Sequence, residues 1–200
     1  MLRTFTYKKQ GKRLLDVLGA TILLILAAPI LLVSVLLLLF IHRGSPFFVQ
    51  RRTGRHGERF ALYKLASMRN TAPQLSLPDH ERTTPLGKVI RAYAIDELPQ
   101  LLNVLKGDMS LIGPRPLLPE YLALYNDRQM RRHEVRPGLT GLAQIHGRNN
   151  TDWPSRLEWD VRYVEQLSPA LDLHITLRTI GLLLCGKGRH TQMPRFTGNP

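Results

Sequence analysis

An apolar segment near the start of the chain constrains its fold more than any other feature. From Val17 to Ile41 the sequence contains no charged residue and consists mostly of Leu, Ile, Val and Ala. A helix needs roughly 20 apolar residues to cross the hydrocarbon core of a bilayer, so this segment predicts a membrane helix. The run is too long for a cleavable signal peptide and no cleavage site is evident, so we expect it to remain as an anchor.

The charges around this segment do not define how it lies in the membrane. Basic residues stand on both sides, so the usual excess of Lys and Arg on the cytoplasmic side gives no orientation. They are Lys8, Lys9, Lys12 and Arg13 before the segment and Arg43, Arg51, Arg52, Arg55 and Arg59 after it. Pro29 removes a backbone donor near the middle and predicts a bend. From these residues alone, a kinked spanning helix is the commoner use of an internal proline, and a hairpin that enters and leaves by one face stays open.

The overall charge requires an anionic partner. The chain has 200 residues and a formal net charge of +13, which suits nucleic acid, acidic lipid headgroups or a phosphorylated substrate. Cys185 is the only cysteine, which excludes an intrachain disulfide and a thiolate zinc cluster. The seven histidines have no metal-ligand spacing, so no zinc site is expected.

The remainder of the chain predicts a mainly α domain with short strands. Two strand-like runs, residues 47–50 and 60–65, flank a basic turn and predict a hairpin. Residues 70–84 lack periodicity and indicate a loop. Helices are expected where apolar residues recur at helical spacing, namely at the leucine stripe 98–105 ended by Gly107, and at 120–132, 153–166 and 171–185.

Asp96 and Glu97 are the first candidates for chemistry. They stand just before the leucine stripe, where the positive end of a helix favours ionised carboxylates. Adjacent helical residues point about 100° apart, so one carboxylate could attack a substrate while the other holds a metal. Acidic residues that only stabilise the start of a helix are the alternative.

Two further patterns suit phosphate binding. In Gly113-Pro114-Arg115-Pro116 the prolines restrict the backbone around Arg115, and a guanidinium matches phosphate geometry. The segment 136–141, Arg-Pro-Gly-Leu-Thr-Gly, followed by Gln144, Arg148 and Asn149, predicts a basic loop with backbone donors that could approach an anion. A rigid surface turn is the alternative for the first pattern, and the second is weak by itself.

Together these motifs resemble the bacterial sugar transferases, the monotopic polyprenyl-phosphate phosphoglycosyl transferases in their minimal catalytic form. The resemblance covers about residues 8–187. It is carried by Lys12-Arg13-x-x-Asp16, Pro29, Gln50-Arg51-Arg52-x-Gly54, Tyr63-Lys64, Asp96-Glu97-Leu98-Pro99-Gln100, the segment 103–110, Gly113-Pro114-Arg115-Pro116 and the segment 136–141.

The resemblance implies a reentrant helix-break-helix over residues 1–45 with its break at Pro29, and interfacial roles for Lys12, Arg13 and Asp16. It further implies a small cytoplasmic α/β catalytic domain over residues 46–187, with amphipathic interface helices, and a tail over 188–200. The location would be the cytoplasmic face of the bacterial inner membrane. Possible homo-oligomers are compatible with the sequence, and nucleic acid is not an expected partner.

The implied reaction transfers a sugar 1-phosphate from a UDP-sugar to polyprenyl (undecaprenyl) phosphate, with Mg²⁺ as cofactor, and starts the synthesis of a surface glycan or a glycoprotein oligosaccharide. By similarity Asp96 is the nucleophile and Glu97 binds the Mg²⁺. Lys64, Arg91 and Arg115 would bind substrate phosphate. The nucleotide sugar would be bound by Arg136, Gln144, Arg148, Asn149 and Asp172.

Four positions depart from the family pattern and leave the sugar undefined. They are Ala28, Ala66, Ala94 and His146, where the family often has serine, arginine, serine and asparagine respectively. The rival function is a membrane-tethered basic module that binds acidic lipid or nucleic acid without catalysis. The sequence has no nucleic-acid recognition motif and no basic surface interleaved with aromatic residues, which argues against a nucleic-acid binder.

Overall fold

The computed structural model describes residues 7–41, 44–68, 82–146, 152–185 and 195–198. Seven α-helices and four short strands are present in these ranges, with single 3-10 turns between several of them. The helices are α1 Lys12–Ile41, α2 Pro85–Ala92, α3 Gln100–Lys106, α4 Asp127–Met130, α5 Leu142–His146, α6 Trp153–Gln166 and α7 Pro169–Leu184. The strands are β1 Phe47–Thr53, β2 Arg59–Leu65, β3 Ser110–Ile112 and β4 Gly138–Thr140. The expectation of a mainly α fold with short strands is confirmed.

Helix α1 contains the apolar segment and is long and apolar enough to cross a membrane. Only 17% of its most apolar 18-residue window is buried against the rest of the chain, so it is not the core helix of a soluble domain. The helix is continuous through Pro29. The predicted bend at Pro29 and the reentrant path therefore remain predictions.

One face of α1 packs along the domain over most of the helix length. Near its start, Ala20 is fully buried among Leu62, Leu101 and Val104. Near its end, Leu38 is fully buried against Leu65 and Ile90. The other faces expose large apolar side chains, among them Leu14, Leu18, Ile25, Leu32, Val33 and Phe40. The anchor is thus part of two hydrophobic cores and also presents an apolar surface.

Polar contacts fix the start of α1 on the domain. Arg13 donates to the carbonyl oxygens of Val104 and Leu105 at 2.6 and 2.9 Å. Asp16 accepts from the Ser110 hydroxyl at 2.9 Å and from the Leu111 amide at 3.0 Å. These contacts cap the carbonyl end of α3 and tie α1 to β3.

The predicted hairpin is confirmed, since β1 and β2 pair antiparallel with Phe48 opposite Lys64 and Arg52 opposite Phe60. The leucine stripe forms α3, and Gly107 ends it in the left-handed region at φ 99°, as the sequence predicted. Leu101 is buried, but Leu102 is exposed.

The expectation of one helix over residues 120–132 is wrong. That stretch contains the 3-10 turn Pro119–Leu124, then α4, then the 3-10 turn Arg131–Glu134. Tyr125 is extended, and Asn126 forms a capping box with Gln129 that starts a new helix. A local side-chain cap therefore overrides the helical pattern.

The predicted glycine-bearing loop over 136–141 instead contains strand β4, which pairs parallel with β3. Gly138 donates its amide to the Pro114 carbonyl at 2.9 Å, so this donor does not face an anion. A Cβ at Gly138 would lie 2.0 Å from the Gly113 nitrogen, so the close approach of the two segments requires glycine.

The last two predicted helices are confirmed as α6 and α7. Pro169 begins α7, and the Ser168 side chain accepts from the Leu171 amide at its start. Ile175 is fully buried, whereas Leu173, Leu177, Ile180 and Leu184 are exposed. This division matches the amphipathic segment expected at the end of the domain.

Candidate active site

Asp96 and Glu97 lie in the 3-10 turn Ile95–Glu97, which joins α2 to α3. Ala94, just before this turn, is in the left-handed region at φ 55°. A residue with a Cβ is strained in this region, and such strain occurs at functional sites. The left-handed backbone at Ala94 ends α2, and the two carboxylates follow it in the turn between α2 and α3.

Glu97 is bound by two cations from different elements. Its Oε1 accepts from Lys64 Nζ of β2 at 2.8 Å and from Arg115 Nη2 at 2.6 Å. Glu97 is buried, and only 7% of the residue's surface is exposed. A buried carboxylate that accepts from two charged donors is fixed in position.

Asp96 has a different environment. Burial, and then the charge of Glu97, raise the pKa of the Asp96 carboxyl to about 6, while Lys64, Arg91 and Arg115 act in the opposite direction. The structure thus brings five of the predicted site residues together: the two carboxylates and the three cations. Arg91 is half-buried at the end of α2.

A buried ion pair supports the Arg115 segment from behind. Arg132 donates to Asp160 Oδ2 through Nε at 3.0 Å and through Nη2 at 2.7 Å, and both side chains are almost fully buried. Arg132 Nη2 also donates to the Arg115 carbonyl at 2.7 Å. The backbone of Arg115 is therefore held by α6 and by the turn after α4.

Two more arginines adjoin Arg115 and were not predicted as site residues. Burial, and then the charge of Arg115, lower the pKa of Arg52 to about 10. The pKa of Arg156 is lowered by the same two causes in the same order. The alternation of side chains along β1 could have placed Arg52 on the same face of the hairpin as Lys64. Phe48 lies opposite Lys64, and Phe48, Gln50 and Arg52 point to one face of the strand. No local pattern in the sequence links Arg132, Arg156 or Asp160 to this site.

Asp172, predicted as a nucleotide-sugar ligand, is placed in a buried cluster at the start of α1. It accepts from the Tyr7 hydroxyl at 2.5 Å, from Lys12 Nζ at 2.7 Å and from the Tyr163 hydroxyl at 2.8 Å. Lys12 Nζ is also 3.9 Å from Asp16 Oδ1. In these contacts Asp172 joins α7 to the anchor.

The remaining predicted residues lie outside the carboxylate cluster. Arg136 donates to the Gly107 carbonyl at 2.8 Å, and its pKa is lowered by burial and by the Arg13 charge. Both polar side-chain atoms of Gln144 are buried and have no hydrogen-bond partner in the part of the chain that the structure describes. Arg148 and Asn149 fall outside the described residues. Of the four departures, His146 stacks on Trp159 with ring centroids 4.0 Å apart.

The described residues contain no group of three or more His, Cys, Asp or Glu side chains that could hold a metal ion by themselves. Asp96 and Glu97 offer two carboxylates. Mg²⁺ commonly binds through one or two carboxylates together with substrate phosphate oxygens. The pair fits that mode of binding.

Comparison with known proteins agrees with the motifs. The family model described as bacterial sugar transferase matches residues 7–186. An uncharacterized sugar transferase, EpsL of Bacillus subtilis, is 48% identical over 94% of this chain and 96% of its own length.

Two further relatives have names that state an activity. UDP-glucose:undecaprenyl-phosphate glucose-1-phosphate transferase of Caulobacter vibrioides is 42% identical over 86% of this chain and 69% of its own length. Galactosyl transferase CpsE of Streptococcus agalactiae is 42% identical over 89% of this chain, which spans only 43% of that longer protein. The chain belongs to the bacterial sugar transferase family and is a transferase enzyme.

Proposed function

We propose that the protein transfers a sugar 1-phosphate from a UDP-sugar to polyprenyl phosphate, releases UMP and forms a polyprenyl-diphosphate-linked sugar. The observation that carries this proposal is the pairing of two unlike carboxylates. Glu97 is fixed by Lys64 and Arg115, whereas the Asp96 carboxyl has a pKa near neutrality. These two environments support a division of roles, with Asp96 as the nucleophile and Glu97 as its electrostatic partner.

In the first step an Asp96 carboxylate oxygen attacks the phosphorus that carries the sugar. A bond forms between this oxygen and phosphorus, and the phosphoanhydride bond breaks, with its electron pair leaving on the UMP oxygen. In the second step an oxygen of polyprenyl phosphate attacks the same phosphorus, and Asp96 leaves as a carboxylate. The soluble donor and the lipid acceptor therefore need not be bound together.

The surrounding cations make this attack feasible. A carboxylate approaching a diphosphate meets like charge, and fixed cations lower that barrier without having to reorganise. Lys64, Arg91 and Arg115 supply three such charges. Glu97 would hold Mg²⁺ together with the substrate phosphates, and the ion would neutralise charge on the transferred group.

The packing of α1 supports a monotopic arrangement at the membrane. The helix has 30 residues, about 45 Å in length, yet Arg13 at its start and Leu38 near its end both contact the catalytic domain. If the helix spanned the bilayer, the domain packed along it would have to be immersed in lipid. We place both ends of α1, and the site, on the cytoplasmic side.

The sugar and the glycan pathway remain undefined, since two relatives carry the names of a glucose-1-phosphate transferase and a galactosyl transferase. The reaction would start a surface glycan on its lipid carrier. The rival function, a basic tethering module without catalysis, has no support in these comparisons. It would also leave the Glu97–Lys64–Arg115 cluster without a role.

Mass spectrometry of the intact enzyme tests the proposal. After incubation with Mg²⁺ and a panel of UDP-sugars, but without acceptor, we expect a phosphosugar adduct on Asp96 and release of UMP. Asp96→Asn should abolish both, and Glu97→Gln should weaken the dependence on Mg²⁺ as well as the rate. Asp127→Asn, which removes an exposed carboxylate in α4, is the matched control. An adduct on Glu97, or turnover without any adduct, would contradict the assignment.

A further inference from the structure

Arg52 is a half-buried cation beside the candidate active site. Its Nη2 donates to Gln50 Oε1 at 2.7 Å, and its Nη1 makes only a long contact of 3.4 Å to the Pro116 carbonyl. Its Nε is buried and has no hydrogen-bond partner among the described residues. Within those residues no carboxylate lies within ion-pair distance of Arg52. Burial of a charge is costly, and here it is offset only by the charges of Glu97 and Glu120 beyond ion-pair distance, so this position needs an explanation.

The position of Arg52 relative to Arg115 is the second observation. The Pro116 carbonyl that Arg52 contacts directly follows Arg115 in the chain, so Arg52 lies beside the segment that carries Arg115. Their proximity raises the electrostatic cost further, because the Arg115 charge depresses the pKa of Arg52. Glu97 is the carboxylate that pairs with Arg115, and it is shared with Lys64.

The wider cluster contains more positive than negative charge. Six cations, Arg52, Lys64, Arg91, Arg115, Arg132 and Arg156, accompany four anions, Asp96, Glu97, Glu120 and Asp160. The difference of two positive charges suits an additional phosphate group. Arg115 lies next to Asp96, where the reacting phosphate would be bound, and Arg52 extends the cationic surface past Pro116.

We propose that Arg52 and Arg115 form a second phosphate subsite, adjacent to the one at Asp96. The inference rests on the proposed function, since it assigns a place to a phosphate that does not react with Asp96. Two substrates carry such a group: the donor, in the phosphate attached to uridine, and the acceptor, in its terminal phosphate. Gln50 orients the guanidinium of Arg52, and its Nη1, which makes only the long contact to the Pro116 carbonyl, would donate to that phosphate, since a guanidinium suits phosphate geometry.

Arg51 provides a matched control on the same strand. It is exposed and adjacent to Arg52, so Arg51→Gln changes the net charge equally while leaving the cluster intact. We would measure the Kd of UDP and of UMP by calorimetry, and the KM of a UDP-sugar and of polyprenyl phosphate, for the full-length wild type, Arg52→Gln and Arg51→Gln.

We expect Arg52→Gln to weaken one phosphate ligand by about ten- to a hundredfold relative to Arg51→Gln, the range for a charge-assisted hydrogen bond. Weaker binding of UDP and UMP with a raised donor KM assigns the subsite to the donor. A raised KM for polyprenyl phosphate, with unchanged nucleotide binding, assigns it to the acceptor. Either result supports the subsite.

Equal values for Arg52→Gln and Arg51→Gln would overturn the subsite while leaving the proposed function intact. A wild type that neither binds UDP nor releases UMP from any UDP-sugar would instead contradict the proposed function. If Arg52→Gln does not fold, as judged by thermal unfolding, the same comparison is made between Arg52→Lys and Arg51→Lys. An ammonium cannot reproduce the paired contacts of a guanidinium, so equal binding there also overturns the proposal.

Discussion

Asp96 and Glu97 are neighbours in the sequence, yet their carboxyl groups are held by different forces. Glu97 Oε1 lies 2.6 Å from Arg115 Nη2 and 2.8 Å from Lys64 Nζ, so two cations are in direct contact with this carboxylate. Asp96 is affected mainly by burial and by the charge of Glu97, which both favour its neutral form. Asp96 therefore changes from its neutral to its ionised form as the pH rises through about 6.

This difference predicts an acidic limb in the pH profile of the first step. With a pKa of about 6, the Asp96 carboxylate is about one tenth ionised one pH unit below and about nine tenths ionised one unit above. The attacking form thus increases as the pH rises through about 6. We expect kcat/KM for the UDP-sugar, followed by UMP release between pH 5 and 8, to rise with unit slope and level off near pH 7.

Circular dichroism at each pH would separate loss of activity from unfolding. Asp127→Asn should keep the same profile, since that carboxylate is exposed and distant in the chain. A profile that is flat from pH 5 to pH 7 would mean that Asp96 is already ionised, and would contradict its raised pKa.

The sequence predicted some of the site residues but not the tertiary contacts that hold them. Asp96, Glu97, Lys64, Arg91 and Arg115 were identified from motifs, and the structure brings them together. The placement of Asp172 on Tyr7, Lys12 and Tyr163 could not be deduced, because those partners are up to 165 positions away. The Arg132–Asp160 pair is likewise defined only by tertiary packing.

The turn between α2 and α3 is the element that presents both carboxylates. Its geometry depends on Ala94, whose left-handed backbone is unfavourable for any residue with a side chain, and more so for a branched one. The amide of Glu97 donates to the Ala94 carbonyl at 3.1 Å. A change of conformation at Ala94 would therefore move the catalytic pair directly.

Substitution of Ala94 tests this dependence. Ala94→Gly removes the steric cost, so we expect the free energy of unfolding to stay equal or rise by up to about 1 kcal/mol, with turnover retained. Ala94→Val should lower both, because a β-branched side chain resists the left-handed region. Thermal unfolding and UMP release measured in parallel would show this. Equal behaviour of the Gly and Val variants would mean that the turn does not depend on this backbone conformation.

The sequence predicted the helices and strands that are defined by local periodicity and turn residues. It did not predict the elements that form by pairing between segments distant in the chain. The hairpin β1–β2, α3 with its Gly107 end and α6 all follow from periodicity and turn residues. The parallel pair β3–β4 joins segments 28 residues apart in the register Ser110–Gly138, and three-residue strands carry no periodic pattern. The stretch 119–134 was misassigned because a capping residue divides it.

For the whole molecule, the contacts of α1 at both ends predict one membrane topology. Gln10 and Ser45 are exposed and lie on either side of the helix. In a Cys185→Ser background, we expect Gln10→Cys and Ser45→Cys to resist a membrane-impermeant maleimide in intact cells and to react after the inner membrane is permeabilised. A cysteine placed in a known periplasmic loop of another protein would verify the labelling.

Labelling of only one of the two cysteines from the periplasm would mean that α1 crosses the bilayer. The two ends of α1 would then be separated by about 30 Å of hydrocarbon. This separation is incompatible with the packing of both Ala20 and Leu38 on one domain. It would leave the assignment of Asp96 and Glu97 unaffected.

The packing of α1 also has a consequence for biosynthesis. The helix leaves the ribosome before the residues that cover its buried face, because Ala20 packs on Leu101 and Val104, and Leu38 on Ile90. During this interval its apolar surface has no protein partner, and exposed apolar segments of nascent chains aggregate. If α1 enters the membrane as proposed, we expect its insertion into lipid to precede completion of the catalytic domain. A chain that misses the membrane would lose two of its cores as well as its anchor, and would yield no active soluble enzyme.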